Sequence, residues 1–164
     1  IKRLLNQQPE LEPVQKLARD TIRDLRNISH DLHPHQLDRL GLAEAIESTG
    51  RQQLEATGIL LETDIDSVDS ALSKQKQLHI YRIAQECLNN FVKHAGASKV
   101  VLTLKNEKHA IRMIIGDDGK GLENMNGHAG LGLRSMQERA QNIGARLQIC
   151  STPGAGTIVD LTVS

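Results

Sequence analysis

Apolar positions recur with two different rhythms along this chain. Val14, Ala18, Leu25, Ile28 and Leu32, with Thr21 in register, advance by alternating steps of four and three, flanked by Lys16, Arg19, Asp20, Arg23 and Asp24. That spacing predicts a helix with a narrow seam, which needs a partner to cover it. Pro13 fits a first helical turn and Pro34 is expected to stop the helix. Ile1 to Leu5 reads as the tail of an earlier helix, and Asn6 to Glu12, with Pro9, as the connecting loop. The expected element is the second half of a helical hairpin, dimerising through a bundle. The competing arrangement is an amphipathic helix packed on its own domain.

From Gly41 onward the rhythm is mixed. Leu42 to Thr57 reads as a helix ended by Gly58, and Ile59 to Ile65 as a strand. Leu72 to Ala95 reads as one long, largely buried helix. Lys99 to Lys105 and Ala110 to Ile115 are β-branched and alternating, and Asn106 to His109 between them predicts a hairpin. Asp118 to Ala129 is polar and glycine-rich. Leu131 to Ile143 is helical up to Gly144, and Arg146 to Cys150 and Thr157 to Val163 are strands joined through Pro153-Gly154-Ala155-Gly156. The expected class is α+β, with helices on one face of a mainly antiparallel sheet. The boundary between the two parts, residues 1–40 and 41–164, falls at Gly41.

Composition narrows the function. The chain has 164 residues with 20 basic and 20 acidic side chains, a formal net charge of zero, which argues against nucleic-acid binding driven by charge. Aromatic residues are 1% of the chain, Tyr81 and Phe91 with no Trp, which argues against stacking platforms for single strands too. No apolar run approaches the roughly 20 residues that span a bilayer, and the start has no signal-peptide anatomy. Cys87 and Cys150 both lie in apolar segments and are expected to be buried free thiols in a reducing, cytoplasmic setting.

Chemistry is concentrated in four places. In the long helix, Glu86, Asn90, Lys93 and His94 fall at i, i+4, i+7 and i+8, one stripe set among apolar neighbours. A carboxylate and an amide there suit a hard cation such as Mg²⁺ carried by a phosphate, with Lys93 facing the anion; a solvated polar face is the other reading. Strand residues Ile114-Ile115-Gly116 run into Asp117, then Gly119 and Gly121. A carboxylate at a strand end can accept from an exocyclic amine, and the glycines admit a flat ring; a tight acidic turn is the alternative. Gly130-Leu131-Gly132-Leu133 opens a helix whose free N–H groups suit a phosphate, or the glycines serve packing. Gly156-Thr157 closes a hairpin turn, and the Thr157 hydroxyl could also reach a pocket floor.

Taken in order, Glu86-xxx-Asn90-xx-Lys93-His94-Ala95, Asp117-x-Gly119-x-Gly121, Gly130-x-Gly132-Leu133 and Gly156-Thr157 resemble the ATP-binding domain of sensor histidine kinases. That domain belongs to a superfamily shared with gyrase, mismatch-repair ATPases and a heat-shock chaperone. The resemblance covers about residues 41–164. Asp31-Leu32-His33-Pro34 with Leu37 to Leu42, and Gly130 to Arg139, are similar to the nitrate-sensor-like subfamily. It implies a two-layer α/β sandwich of the Bergerat type, with nucleotide between the long helix and a flexible lid at 123–129. It implies that residues 1–40 are the C-terminal part of a dimerisation and phosphotransfer hairpin.

The same resemblance implies the roles. Asn90 would ligate Mg²⁺, and Glu86 would act as general base or orient the attacking imidazole. Lys93 and His94 would contact phosphate. Asp117 would bind the adenine amine, with Gly119 and Gly121 lining the ring and Thr157 nearby. Gly130, Leu131, Gly132 and Leu133 would offer backbone N–H groups to phosphates. The γ-phosphoryl would pass to a histidine and then to an aspartate of a response regulator receiver domain. The partners implied are a second copy of the chain and that regulator, with no nucleic acid and no membrane contact by this segment, although a longer parent could be membrane-anchored. Two departures stand out. Asp118 occupies a position where the family usually has Asn. The subfamily's acceptor histidine belongs to the first hairpin helix, which is nearly missing here; Ser29-His30-Asp31-Leu32 resembles another acceptor box, but Pro34 ends its helix almost at once, so His30 is not the expected acceptor. Alternatives are a non-kinase ATPase of the same superfamily and a nucleotide-binding regulatory module.

Overall fold

The computed structural model describes residues 34–121 and 131–164. The expected seam helix at 14–32, His30, the expected lid at 123–129 and Gly130 lie outside the described residues. The chain divides into two compact units, Ile1–Pro34 and His35–Ser164, and the described helices and strands all belong to the second.

That unit begins earlier than Gly41, with a helix that the sequence pattern does not announce. Helix α1 (His35–Leu40) follows Pro34 immediately, and its Leu37 is completely buried. Pro34 is compatible with a helix starting just after it. Six residues are too few to display a helical period, so only the burial of Leu37 reveals the element. Helix α2 (Leu42–Glu55) buries Leu42, Ala45, Ile46, Thr49, Gly50 and Leu54, one face at the spacing of a 3.6-residue turn. Gly41 offers no side chain to cap it; instead Asp69, 27 residues away, accepts the Leu42 N–H at 2.5 Å. Asp69 opens a single 3₁₀ turn (Asp69–Ala71), so this tertiary cap ties the start of α2 to the loop before the next helix.

Strand β1 (Leu60–Ile65) leads through that turn to the long helix α3 (Lys74–Asn90). Ser73 caps α3 by accepting the Lys76 N–H at 3.2 Å. Gln77, Ile80, Tyr81, Ile83, Ala84, Cys87 and Leu88 are its buried residues. The apolar run expected to stay α-helical to Ala95 changes pitch at Phe91, and Phe91–Ala95 is a π-helical turn closed by Gly96 in the left-handed region, φ 60°. Such turns widen the helix by one residue and are frequent at functional sites.

Strands β2 (Lys99–Glu107) and β3 (Ala110–Asp117) form the expected hairpin. Its loop is two residues, Lys108 and His109, rather than four, because Asn106 and Glu107 pair with Ile111 and Ala110. Helix α4 (Leu131–Asn142) precedes β4 (Arg146–Thr152) and β5 (Gly156–Val163). The sheet order is β1-β2-β3-β5-β4, with β1 and β2 parallel and every other pair antiparallel. A parallel pair needs a crossover, and here it is the long α3.

Burial alternates along the central strands. Val100, Leu102 and Leu104 of β2, Ile111, Met113 and Ile115 of β3, and Val159, Leu161 and Val163 of β5 are buried on one face. The helices pack on that face, giving two layers. The opposite face carries Lys99, Lys105, Arg112 and Asp160 in cross-strand ion pairs, including a bidentate Arg112–Asp160 pair at 3.1 and 2.6 Å. Cys150 is on that solvated side opposite Ile158, so it is exposed. The expectation of two buried thiols therefore holds for Cys87 alone. An apolar neighbourhood in sequence does not decide the face; the strand's period of two does. No helix among the described residues is long and apolar enough to cross a membrane.

Candidate nucleotide site

Strand alternation places Asp117 on the helix-facing side, in phase with Ile111, Met113 and Ile115. Its side chain is only 7% exposed. The carboxylate is held by two backbone donors: Gly119 N–H donates to Oδ1 at 2.8 Å and Thr157 N–H donates to Oδ2 at 3.0 Å. A carboxylate has about four lone-pair positions, so each oxygen can accept again. Burial pushes its carboxyl above the ordinary 3.8; the two N–H donors pull it down, and the adjacent Asp118 charge pushes it up.

Asp118 does something different. Its Oδ1 accepts the N–H of Ser98 and of Lys99, both at 2.8 Å, and its Oδ2 accepts the Ser98 hydroxyl at 2.5 Å. These bonds hold its carboxyl below the usual range. The residue that departs from the family's usual Asn thus fastens the acidic loop to the start of β2. Nothing local in the sequence marks this contact, which spans 20 positions.

The glycines of the loop are set by close approach. A β-carbon on Gly119 would overlap the Ala95 carbonyl at the end of the π turn, and one on Gly121 would overlap the Thr152 carbonyl. Lys120 N–H donates to Ala95 O at 2.9 Å, and Gly154 N–H donates to Lys120 O at 2.8 Å. The segment 117–121 is therefore pinned between the end of the long helix and the β4–β5 turn.

The long helix approaches from the other side. Glu86 and Asn90 are half-buried, one turn apart on α3, whereas Lys93 and His94 are exposed. All four were expected on one stripe, but Lys93 and His94 lie within the π turn that begins at Phe91, past the α-helical pair. Among the described residues the side chains of Glu86, Asn90, Lys93 and His94 make no hydrogen bond or ion pair. Gly132, in the first turn of α4, sits directly on the pair: a β-carbon there would stand 3.0 Å from Glu86 Cδ and 3.5 Å from the Asn90 amide nitrogen. The first N–H groups of α4 have no partner within the helix and carry its positive end. Leu131 is exposed while Leu133 packs against the core. Behind this contact Cys87 and Met136 meet at 3.5 Å between sulfurs, and burial pushes the Cys87 thiol far up, leaving it an inert packing group.

Thr157 neighbours Asp117 across the β3–β5 ladder, and Ser151 neighbours Thr157 across β4–β5. Ser151 is a polar residue of this site that the sequence did not single out; its only local signal is its place in a strand otherwise read as ending at Cys150. A hard-cation site is compatible with the donors present. Asn90 provides an oxygen ligand of the kind Mg²⁺ takes alongside phosphate.

The four sequence segments are thus brought to one end of the sheet and the facing helix, the arrangement of an ATP-binding two-layer domain. Residues 75–164 match the model of the histidine kinase-, DNA gyrase B- and HSP90-like ATPases, and the chain belongs to that family. Within it, the chain is 38% identical over 141 residues to the sensor histidine kinase MctS of Rhizobium johnstonii, covering 84% of this chain and 31% of the relative. It is 37% identical over 149 residues to the histidine-protein kinase/phosphatase UhpB of Salmonella typhimurium, covering 90% and 30%. The chain therefore spans about a third of the length of these relatives. In fold it is similar to the histidine kinase domain of a blue-light-activated kinase from Erythrobacter litoralis, with a TM-score of 0.63 at 23% identity, covering 75% of this chain and 58% of that one. The described body is an ATP-binding catalytic domain of the sensor histidine kinase type.

Proposed function

We propose that this domain binds ATP with Mg²⁺ and moves the γ-phosphoryl to a histidine imidazole, as part of a dimeric kinase of the nitrate-sensor-like subfamily. The observation that carries the reading is the meeting of Gly132 with Glu86 and Asn90, at the same end of the fold as the doubly held Asp117 carboxylate.

The adenine amine donates to a free lone pair of Asp117, and the ring lies over the close-packed Gly119 and Gly121. The phosphate chain then runs toward the N-terminus of α4, where backbone N–H groups at Leu131 to Leu133 meet its charge. Lys93 and His94, exposed within the π turn, neutralise the outer oxygens. Asn90 is the residue that would hold Mg²⁺, which when bound offsets phosphate charge. In the transfer, the lone pair of one imidazole nitrogen attacks the γ-phosphorus and the bond to the bridging oxygen breaks, releasing ADP. The proton on the other ring nitrogen faces Glu86, which orients the ring and takes that proton.

The phosphohistidine would then pass its phosphoryl to a receiver-domain aspartate. The acceptor is assigned to a helix outside the described body, and the domain to the cytoplasmic side. Phosphotransfer from this chain to a longer version carrying the first hairpin helix tests the reading. Acid-labile phosphate should accumulate on the longer chain and not on His30. Glu86→Gln should slow transfer roughly a hundredfold, the scale of a general base, with ADP affinity unchanged. Steady ATP hydrolysis with no phosphohistidine would instead assign the domain to the non-kinase ATPases of its family.

A further inference from the structure

Helix α1 has six residues, too few to be stable without tertiary support. It is held to the body at three points. Leu37 is fully buried and belongs to the core. At the end of α1, Gly41 takes φ +81°, and the Asp69 carboxylate lies where a β-carbon on Gly41 would stand; the same carboxylate accepts the Leu42 N–H. The third point is polar. The Gln36 amide oxygen accepts from the Thr49 hydroxyl of α2 at 3.3 Å and from the Tyr81 hydroxyl of α3 at 3.4 Å, and the two hydroxyls meet at 3.0 Å. Thr49 is 6% exposed and Tyr81 4%, so water is a poor substitute partner for either. A hydroxyl can donate or accept, whereas an amide oxygen only accepts. Whichever hydroxyl donates to the other, the remaining proton ends on Gln36.

The place of this triangle in the chain gives it a consequence. Helix α1 is the first element after Pro34, where the unit Ile1–Pro34 joins the body. Tyr81 belongs to α3, five residues before Glu86. We infer that Gln36, Thr49 and Tyr81 form a clasp that locks the entry helix α1 to the helix carrying Glu86 and Asn90, and that Gln36 is a positioning residue for phosphoryl transfer. With the clasp closed, the incoming chain and the site move as one body. Transfer to a histidine carried outside that body depends on such positioning, since a displacement of about 1 Å from a change far from the chemistry can cost on the order of a hundredfold in rate. With the clasp open, α1 is released while the nucleotide cleft stays intact. The inference rests on the kinase reading of this domain.

The test uses two variants. Gln36→Met keeps the length of the side chain but removes the acceptor, leaving a buried hydroxyl proton without a partner. Gln36→Glu keeps an acceptor at the same place. Amide hydrogen exchange and calorimetric ADP affinity are measured on the full chain. Acid-labile phosphate is followed in the longer version that carries the first hairpin helix. The reporter amide is Gly41, whose N–H donates to Leu37 O at 3.1 Å and closes α1. In Gln36→Met its exchange should be about tenfold faster, with β3 and β5 amides and ADP affinity unchanged. Phosphohistidine formation at saturating ATP should slow about tenfold, and Gln36→Glu should restore both values. A merely structural role would loosen β3 and β5 together with α1 and weaken ADP binding in step with transfer. Transfer at the natural rate in Gln36→Met, with Gly41 exchange raised and ADP still bound, overturns the positioning role while leaving the kinase reading intact. Unchanged Gly41 exchange overturns the clasp itself. A natural longer version that binds ADP yet forms no phosphohistidine would overturn the reading beneath it.

Discussion

Asp117→Asn should reduce ADP affinity by on the order of a thousandfold, with the body still folded. The reason is the pair of backbone donors on its carboxylate. An amide has one oxygen and one NH₂ group. Whichever way it is turned, the NH₂ faces either Gly119 N–H or Thr157 N–H, and a donor opposes a donor. Settling that conflict rotates the side chain away from the position that receives the adenine amine. The charged acceptor is lost at the same time, and hydrogen bonds to charged groups are the stronger class. Calorimetric titration of the variant with ADP measures the loss, and the thermal midpoint separates it from unfolding.

The same carboxyl sets a pH dependence whose sign comes from its environment. Burial raises its folded value above 3.8. A raised carboxyl favours the proton, so its contribution to stability is greatest below 3.8 and is lost as pH rises through the folded value. At neutral pH the ionised Asp117 therefore costs folded stability. Nucleotide binding requires the ionised form and should weaken as pH falls, beginning above 3.8. Asp118 behaves in the opposite sense: its carboxyl is lowered by Ser98 and Lys99, so its stabilising contribution is present above 3.8 and is lost as pH falls through the lowered value. Two adjacent aspartates thus have opposite linkage, one shaped for a ligand and one for the fold.

Gly156→Ala should destabilise the described unit by about 3 kcal/mol, a shift of about 10 °C in Tm for a body of this size. Gly156 has φ +83°, where an L side chain is strained, and its β-carbon would stand 2.7 Å from the Asp117 carbonyl carbon. Neither partner can yield cheaply. Gly156 pairs with Thr152, and its neighbour Thr157 donates to Asp117. The substitution should therefore also weaken ADP binding through displacement of Asp117. Chemical denaturation with and without ADP would reveal both effects. An alanine variant as stable as the natural chain would mean that the close approach at this turn is not required.

Period and glycine account for the parts of the fold that were legible in the sequence. The strand holding Asp117 announces itself because Ile111, Met113 and Ile115 alternate with partly solvated residues, and that phase carries Asp117 inward. Glu86 and Asn90 are legible because i and i+4 share a face under any α-helical geometry. Lys93 and His94 are less so, because a π turn is a backbone event that residue identities at 91–95 do not declare. Helix α1 was not legible, since six residues show no period and Pro34 reads equally as a stop or a start. The roles of Asp69 and Asp118 and the place of Ser151 depend on partners brought close only by the fold. Cys150 shows the same limit: its neighbours are apolar, yet the register with Ile158 turns it outward.

A crystal of the chain grown with ADP and Mg²⁺ tests the central claim most directly. The account predicts the six-amino group within hydrogen-bonding distance of the Asp117 carboxylate and the phosphates between the first turn of α4 and Asn90. An ordered nucleotide elsewhere on the surface, or the space beside Asp117 filled by the protein's own side chains, would contradict it.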